Sequence, residues 1–200
     1  MIYNIYLNII VKVFILNKYI VTGPIGAGKS EAKLIFEHNN YKCYCADEEV
    51  KKLYKDEKVI EKIYDFLPSA VNNKGLDLKI LRQELFNNPI LMEKLENYIQ
   101  PIVYNNFINF EKENNNDIIF IFPIVKNNRF LFENTIIYID SNVEIRRARL
   151  KKRPNYNNLL ISKIISYQES IDIYKKDCDY LINNNGTINE LENSIKKIIK

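Results

Sequence analysis

Thr22-Gly23-Pro24-Ile25-Gly26-Ala27-Gly28-Lys29-Ser30-Glu31-Ala32-Lys33 holds three of the five glycines in this 200-residue chain and directly follows the apolar run Tyr19-Ile20-Val21. A short apolar run closed by glycine reads as a buried strand. Ser30 to His38, with Ala32, Leu34, Ile35 and Phe36 among helix formers, reads as a helix. The stretch is thus a strand, a glycine loop and a helix, and it fits G-x-x-x-x-G-K-[ST] at Gly23, Gly28, Lys29 and Ser30. Such a loop turns backbone N–H groups inward and lets the chain approach a phosphate without a Cβ in the way. The helix N-terminus adds partial positive charge, the Lys29 ammonium can reach β- and γ-phosphates, and the Ser30 hydroxyl can ligate Mg²⁺. An ordinary glycine-rich turn is the plainer alternative, but the strand before the loop and the helix after it are the context that phosphate binding requires.

Outward from the loop, Tyr41 to Cys45 reads as a second strand ending at Ala46-Asp47. Glu49 to Tyr64 reads as one helix, its Val50, Leu53, Tyr54, Ile60, Ile63 and Tyr64 recurring at helical spacing. Asn72, Asn73 and Gly75 mark a loop. Leu78 to Phe86 and Ile90 to Ile99 read as helices separated by Asn87-Asn88-Pro89, and Pro101 reads as the start of another, since proline suits a first turn. Residues 55–112 are therefore mostly helical. Ile118 to Phe122 and Thr135 to Ile139 are unbroken apolar runs, which suits strands covered on both faces. Glu144 to Arg153 and Leu159 to Lys176 read as helices, Tyr180 to Ile182 as a last strand, and Thr187 to Ile199 as a final helix with a capping box at Thr187 and Glu190. This alternation predicts an α/β fold: a P-loop NTPase-type three-layer sandwich on a five-stranded parallel sheet, with a helical substrate-binding insertion over 55–112 and a small lid over 144–158.

Composition narrows the partners. The chain is 46% hydrophobic and 27% charged, enough for one domain over 18–200, and its net charge of +4 comes from Lys and Arg interleaved with Asp and Glu. Nothing demands nucleic acid, and a polyanionic small molecule suits this balance. Cys43, Cys45 and Cys178 lack C-x-x-C spacing and read as small core residues in a reducing compartment, while the lone His38 disfavours a histidine-based metal site. Residues 1–17 are apolar but broken by Asn4, Asn8 and Lys12. They fall short of the ~20 apolar residues of a spanning helix and lack the basic n-region and cleavage site of a secretory signal. They read as an extension or extra edge strand, with no stable membrane association and a cytoplasmic location expected.

The chemistry then narrows. A guanine-reading N-K-x-D is absent, and Ile118 to Phe122 ends without the Mg²⁺-binding carboxylate usual in motor and transport ATPases. A small kinase remains. It needs an acceptor hydroxyl in line with the γ-phosphate, a carboxylate beside that hydroxyl, and cations covering the transferring group. Asp47 sits at the strand end where α/β sheets bind ligands, although a helix N-cap would also explain it. One or two members of the Arg146, Arg147, Arg149, Lys151, Lys152, Arg153 cluster could serve as lid cations, the rest forming a solvated face.

Thr22 to Ser30, Ala46-Asp47, Phe86-Asn87-Asn88-Pro89, Leu95, Ile99-Gln100-Pro101-Ile102-Val103, Pro123, Arg147, Gln168 and Asp179-Tyr180-Leu181-Ile182-Asn183-Asn184-Asn185-Gly186 resemble dephospho-coenzyme A kinases in order and approximate spacing. The resemblance runs from about Lys18 to the C-terminus. It implies transfer of the ATP γ-phosphoryl group to the ribose 3′-hydroxyl of dephospho-coenzyme A, with Mg²⁺, by a monomer or weak homo-oligomer. It implies Asp47, Lys29 and Arg147 as catalytic residues. ATP would be held by Gly26, Ala27, Gly28, Lys29, Ser30, Glu31, Asn184 and Gly186, and the acceptor by Arg82, Gln100 and Pro101. Several positions depart from the family pattern: Gln100 replaces a histidine, Cys45 an aspartate, Lys51 a histidine, Glu31 a threonine and Tyr174 a lysine, and Pro123 to Asn127 lacks the usual P-L-L-F-E. Three alternatives stand beside this reading: a P-loop kinase with another acceptor, a non-catalytic nucleotide-binding protein, and a membrane-associated protein tethered by residues 1–16.

Overall fold

Ile118 to Ile121 are all buried, because the strand they form has a neighbour on each side and helices on each face. In the computed structural model, which describes residues 17–124, 134–154, 156–172 and 174–199, this strand, β5 (Ile118–Ile121), pairs in parallel with β1 (Lys18–Thr22) and β2 (Lys42–Cys45). On the other side of β1 lie β6 (Thr135–Asp140) and β7 (Tyr180–Asn183), also parallel, giving the order β2-β5-β1-β6-β7. The sheet is the five-stranded parallel one expected from the apolar runs. Its chain order reverses direction across β1, the kind of switch point where such sheets bind ligands beyond their carboxyl ends.

Alternation along each strand divides the core into two layers. Ile20, Phe120, Ile136 and Tyr138 face one cluster, built with Leu95, Ile99, Val103 and Phe107 of the long helix α5 (Pro89–Glu113). Val21, Ile119, Ile121 and Ile137 face another, built with Ala32, Ile35 and Phe36 of α1 (Lys29–His38) and Leu191 and Ile195 of α9 (Ile188–Ile198). Phe107 stacks on Phe120 at 4.2 Å between centroids, a pairing worth about 0.5–1.5 kcal/mol beyond its buried area. Tyr44 is buried against the same helix and donates from its hydroxyl to the Val103 carbonyl at 3.1 Å.

Between the second strand and α5 the chain is helical as expected, but its divisions differ. Glu49 to Tyr64 is not one helix: α2 (Ala46–Leu53) ends at Tyr54, and Asp56 caps α3 (Glu57–Tyr64) by accepting from Lys58 and Val59 N–H. A 3-10 turn at Pro68–Ala70 leads into a two-stranded hairpin, β3 (Val71–Asn72) and β4 (Gly75–Leu76), then α4 (Leu78–Asn87). Pro101 does not start a helix; α5 runs through it for 25 residues, with Pro89 in its first turn. The apolar stripe Leu95, Ile99, Val103, Phe107, all buried on one face, offsets the hydrogen bond that an internal proline removes. After the sheet's fourth long strand come α6 (Val143–Lys151), α7 (Asn158–Ile171) and α8 (Tyr174–Asp177). The single helix expected over Leu159 to Lys176 is thus broken at Asp172, which accepts from Tyr174 N–H. The capping box at Thr187 and Glu190 is formed.

No helix among the described residues is long and apolar enough to cross a membrane. The expected extension over 1–17, apart from Asn17, and the divergent Val125-Lys126-Asn127 lie outside the described residues.

Candidate active site

The glycine loop leaves β1 between the ends of its neighbours, and its glycines answer to protein as much as to any ligand. Gly23 has φ +144°, and a Cβ there would stand 2.1 Å from the Ile139 carbonyl oxygen of β6. Gly28 has φ +109°, and a Cβ there would stand 2.2 Å from Asn184 Nδ2. Only glycine fits both the backbone region and the space. The loop is braced further: Ile25 N–H donates to Gln168 Oε1 at 2.8 Å and Asn184 Nδ2 donates to the Ala27 carbonyl at 2.7 Å.

Those braces decide which amides face outward. Ala27, expected in the cradle, commits its N–H to the Pro24 carbonyl at 3.2 Å and is itself fully buried. It shapes the loop from behind. Gly28 is the N-cap of α1, with no side chain hydrogen-bonded as a cap among the described residues. The first-turn amides of that helix, at Lys29, Ser30 and Glu31, have no intrahelical acceptor by geometry and form an anion-seeking end.

Lys29 folds over this end, its Nζ donating to the carbonyls of Gly23 at 2.6 Å and Pro24 at 3.2 Å. Burial pulls its ammonium down to about 8; Asp47 raises it and Arg153 lowers it again. Lys29, Ser30, Gly26, Asp47 and Arg153 line one small cavity of about 100 Å³, with Lys33, Cys45 and Glu48 on its wall. Lys33 is held there by Glu48 at 2.7 Å. Burial pushes the Cys45 thiol up, so it adds no negative charge to this wall at neutral pH.

Asp47 also lines a second cavity, of about 190 Å³, with Val50, Tyr54, Leu85, Gln100 and Pro123. Asp47 is not an N-cap: Cys45 holds that position and Asp47 lies within the first turn of α2, where a carboxylate also complements the helix dipole. Gln100 reaches this second cavity, whereas Pro101 is exposed on α5 and does not line it. Arg82 is exposed on α4 and lines a separate cleft toward α7.

The structure does not bring Arg147, the expected lid arginine, to the Lys29 cavity. Arg147 donates to Ser162 Oγ at 3.0 Å on α7 and is not among the side chains lining the Lys29 cavity. Arg153 lines that cavity. Arg149 spans from the Ala27 carbonyl at 3.4 Å to the Asn184 carbonyl at 3.0 Å, clamping the loop to the end of β7. Arg146 is buried and pairs with Glu169 at 3.2 Å. Arg146 and Arg149 are three residues apart on one face of α6, while Arg153 lies beyond the helix end at Lys151. That spacing was available in the sequence and separates Arg146 and Arg149 from Arg147. Of the remaining expected ATP contacts, Glu31 is exposed in the first turn of α1. Asn184 is buried as the loop's brace, and Gly186 sits against the Glu190 carboxylate of the α9 capping box.

Among the described residues no group of three or more His, Cys, Asp or Glu side chains is arranged to hold a metal ion. The oxygen donors available in the Lys29 cavity are Ser30, Asp47 and Glu48. That sparse set suits a cation that keeps waters and takes phosphate oxygens as ligands, as Mg²⁺ does.

Similarity to known proteins bears on the family and the fold. The dephospho-CoA kinase family model matches residues 19–190. A dephospho-CoA kinase from Rickettsia typhi is 30% identical over 184 residues, covering 90% of this chain and 94% of the relative. Among solved structures, TT1252 from Thermus thermophilus superposes with a TM-score of 0.73 at 19% identity, covering 92% of this chain and 96% of that one. The dephospho-CoA kinase from Campylobacter jejuni superposes with a TM-score of 0.63 at 23% identity, covering 92% and 95%.

Proposed function

The chain belongs to the dephospho-CoA kinase family, and from that membership we propose that it transfers the γ-phosphoryl group of ATP to the ribose 3′-hydroxyl of dephospho-coenzyme A. The observation that carries the reading is the double position of Asp47. It lines the cavity of Lys29 and Ser30 on one side and the cavity of Gln100 and Tyr54 on the other. A kinase needs one carboxylate at the boundary between a phosphate site and an acceptor site.

In this reading the amides of Gly26 and Gly28 to Ser30, with the α1 N-terminus, hold the β- and γ-phosphates. Lys29 exchanges its loop carbonyls for phosphate oxygens, which gives the buried ammonium a stronger counter-charge than carbonyls supply. Ser30 would supply a hydroxyl ligand to Mg²⁺, and the ion would neutralise the phosphate charge that builds up during transfer. Asp47 accepts a hydrogen bond from the acceptor hydroxyl, aligns it with the γ-phosphorus and takes its proton as the new ester forms. Arg153 takes the lid role over the transferring group. Little covalent work falls to the protein, so positioning and electrostatics carry the rate. The helical region over 55–112 contributes the acceptor wall, and residues 144–158 the lid. In this reading the enzyme acts in the cytoplasm on small-molecule substrates.

Purified protein given labelled ATP and a panel of acceptors tests this directly. Phosphorylation of dephospho-coenzyme A in preference to nucleoside monophosphates and shikimate is the expected result; preference for another acceptor overturns it. Asp47→Asn should lower kcat by roughly 10²–10⁴-fold, the usual range for a general base, with ATP affinity retained. Weakened ATP binding with normal turnover would reassign the carboxylate.

A further inference from the structure

Asp47, Glu48 and Glu49 fill the first turn of α2 with three consecutive carboxylates. Successive side chains of a helix point about 100° apart, so one turn aims the three at different places. Asp47 faces the two cavities. Glu48 meets α1, where Lys33 Nζ donates to both of its carboxylate oxygens, at 2.7 and 2.8 Å. Glu49 meets α5, where Asn106 Nδ2 donates to its Oε1 at 2.9 Å, and Lys52 pairs with the other oxygen at 3.1 Å.

These attachments lead to the helices that carry the two halves of the site. Lys33 lies one turn beyond Lys29 on α1, and Asn106 lies on the helix whose Ile99, Gln100 and Val103 wall the Asp47 cavity. The sheet alone spaces these parts coarsely. β1, which feeds α1, and β2, which feeds α2, are separated by β5. With strands about 4.7–4.9 Å apart, the phosphate loop and Asp47 start from strand ends two spacings apart. Side-chain contacts across that gap set what the strands leave open. The Glu49 side chain is only 13% exposed, so its bond to Asn106 is shielded from competing water. Neither Glu49 nor Asn106 is among the side chains lining the two cavities.

We propose that Glu48 and Glu49 are positioning residues for Asp47: Lys33 holds the first from the phosphate side, Asn106 holds the second from the acceptor side, and together they fix the Asp47 carboxylate between the cavities. This role rests on the kinase reading above, in which Asp47 aligns the acceptor hydroxyl. A misplacement of about 1 Å can lower a rate on the order of 10²-fold, whereas partly exposed ion pairs add little to stability. The two attachments therefore register in turnover more than in folding.

Kinetics of the full chain with ATP, Mg²⁺ and dephospho-coenzyme A test this. Asn106→Ala and Glu49→Ala should each lower kcat about 5- to 20-fold with the KM for ATP held. Combined, they should lose no more than either alone, since both break one contact. Glu48→Ala should lower kcat about tenfold and compound with Asn106→Ala toward about 100-fold. Glu48→Gln and Glu49→Gln still accept from Lys33 and Asn106 and should restore most of the rate. In the Asp47→Asn background Asn106→Ala should lower kcat no further, because it acts through Asp47. Asn106→Asp, close to the natural shape, should reproduce the alanine loss by opposing Glu49, which keeps the test open should the alanine variant fold poorly. Full kcat in Asn106→Ala and Glu48→Ala overturns the positioning role, while wild-type transfer to dephospho-coenzyme A leaves the kinase reading standing. Losses that the glutamine variants do not restore also overturn it, by assigning the carboxylates a direct charge on metal or phosphate. A wild-type chain that transfers to no acceptor overturns the kinase reading and the role with it.

Discussion

Lys29 shows how the loop sets the chemistry of one side chain. Burial disfavours its charged form, so the ammonium is lost near pH 8 instead of the ordinary 10.5. The kcat/KM for ATP, which reports the free protein, should accordingly fall above about pH 8 as one proton leaves. Lys29→Arg should abolish that inflection, since guanidinium does not titrate there. The sign for stability is the opposite. Across pH 8 to 10.5 the unfolded chain binds the Lys29 proton more tightly than the folded one, so this group makes stability rise with pH. Unfolding through Lys29 therefore cannot mimic the loss of activity. An inflection that survives in the Lys29→Arg variant would assign it to another group. Gly28 makes a second case. Gly28→Ala forces a Cβ to 2.2 Å from Asn184 Nδ2 in a backbone region that alanine avoids. We expect a loss of about 1–3 kcal/mol in chemical denaturation together with lost ATP binding. Adding Asn184→Ala should recover part of the stability but little of the binding, because the contact is relieved and the backbone strain is not.

Two arginines that look equivalent in the chain differ in place, Arg147 within α6 and Arg153 just beyond its end. Arg153→Ala should lower kcat/KM for ATP by at least about tenfold, because it removes a cation from the Lys29 cavity, worth ~1.4 kcal/mol or more in the transition state. Arg147→Ala should leave kinetics within about twofold and cost roughly 0.5–1.5 kcal/mol of stability, the net value of its bond to Ser162. Equal kinetic losses from both would mean that Arg147 turns inward during turnover. At this scale the sequence was partly legible. The helix itself was found from its composition, but the face presented to the loop depends on a rotation of about 100° per residue, and the single step from Arg146 to Arg147 turns from a buried side chain to one bonded to Ser162. Pro101 misled in the same way. Proline was read as a boundary, although Leu95, Ile99, Val103 and Phe107 repeat every four residues straight through it, and that buried stripe outweighs the one hydrogen bond lost. The five strands were legible because their apolar runs are unbroken. The braces were not, since Asn184 to Ala27 and Gln168 to Ile25 join residues 157 and 143 apart, with no local pattern linking them.

Across the whole molecule, the loop's place at the end of the central strand couples ligand binding to global stability. β1 sends Ile20 into one core cluster and Val21 into the other, and then becomes the loop. The loop packs closely on β6 at Gly23 and is hydrogen-bonded to α7 through Gln168 and to the end of β7 through Asn184. A triphosphate gripped there binds a structure that exists only when both layers are assembled, so its binding energy adds to the stability of the fold. At ATP concentrations 100-fold above Kd the added stability is about 2.7 kcal/mol. For a chain of this size that corresponds to a rise of roughly 5–11 °C in the unfolding midpoint. Lys29→Ala should lose most of that rise and Asp47→Asn should keep it, because the first residue grips phosphate while the second waits for the acceptor hydroxyl. Dephospho-coenzyme A should add its own rise on top of ATP. A midpoint unmoved by saturating ATP in the wild-type chain would mean that the loop opens and closes independently of the two cores, and that the braces at Gln168 and Asn184 do not carry its energy into the sheet.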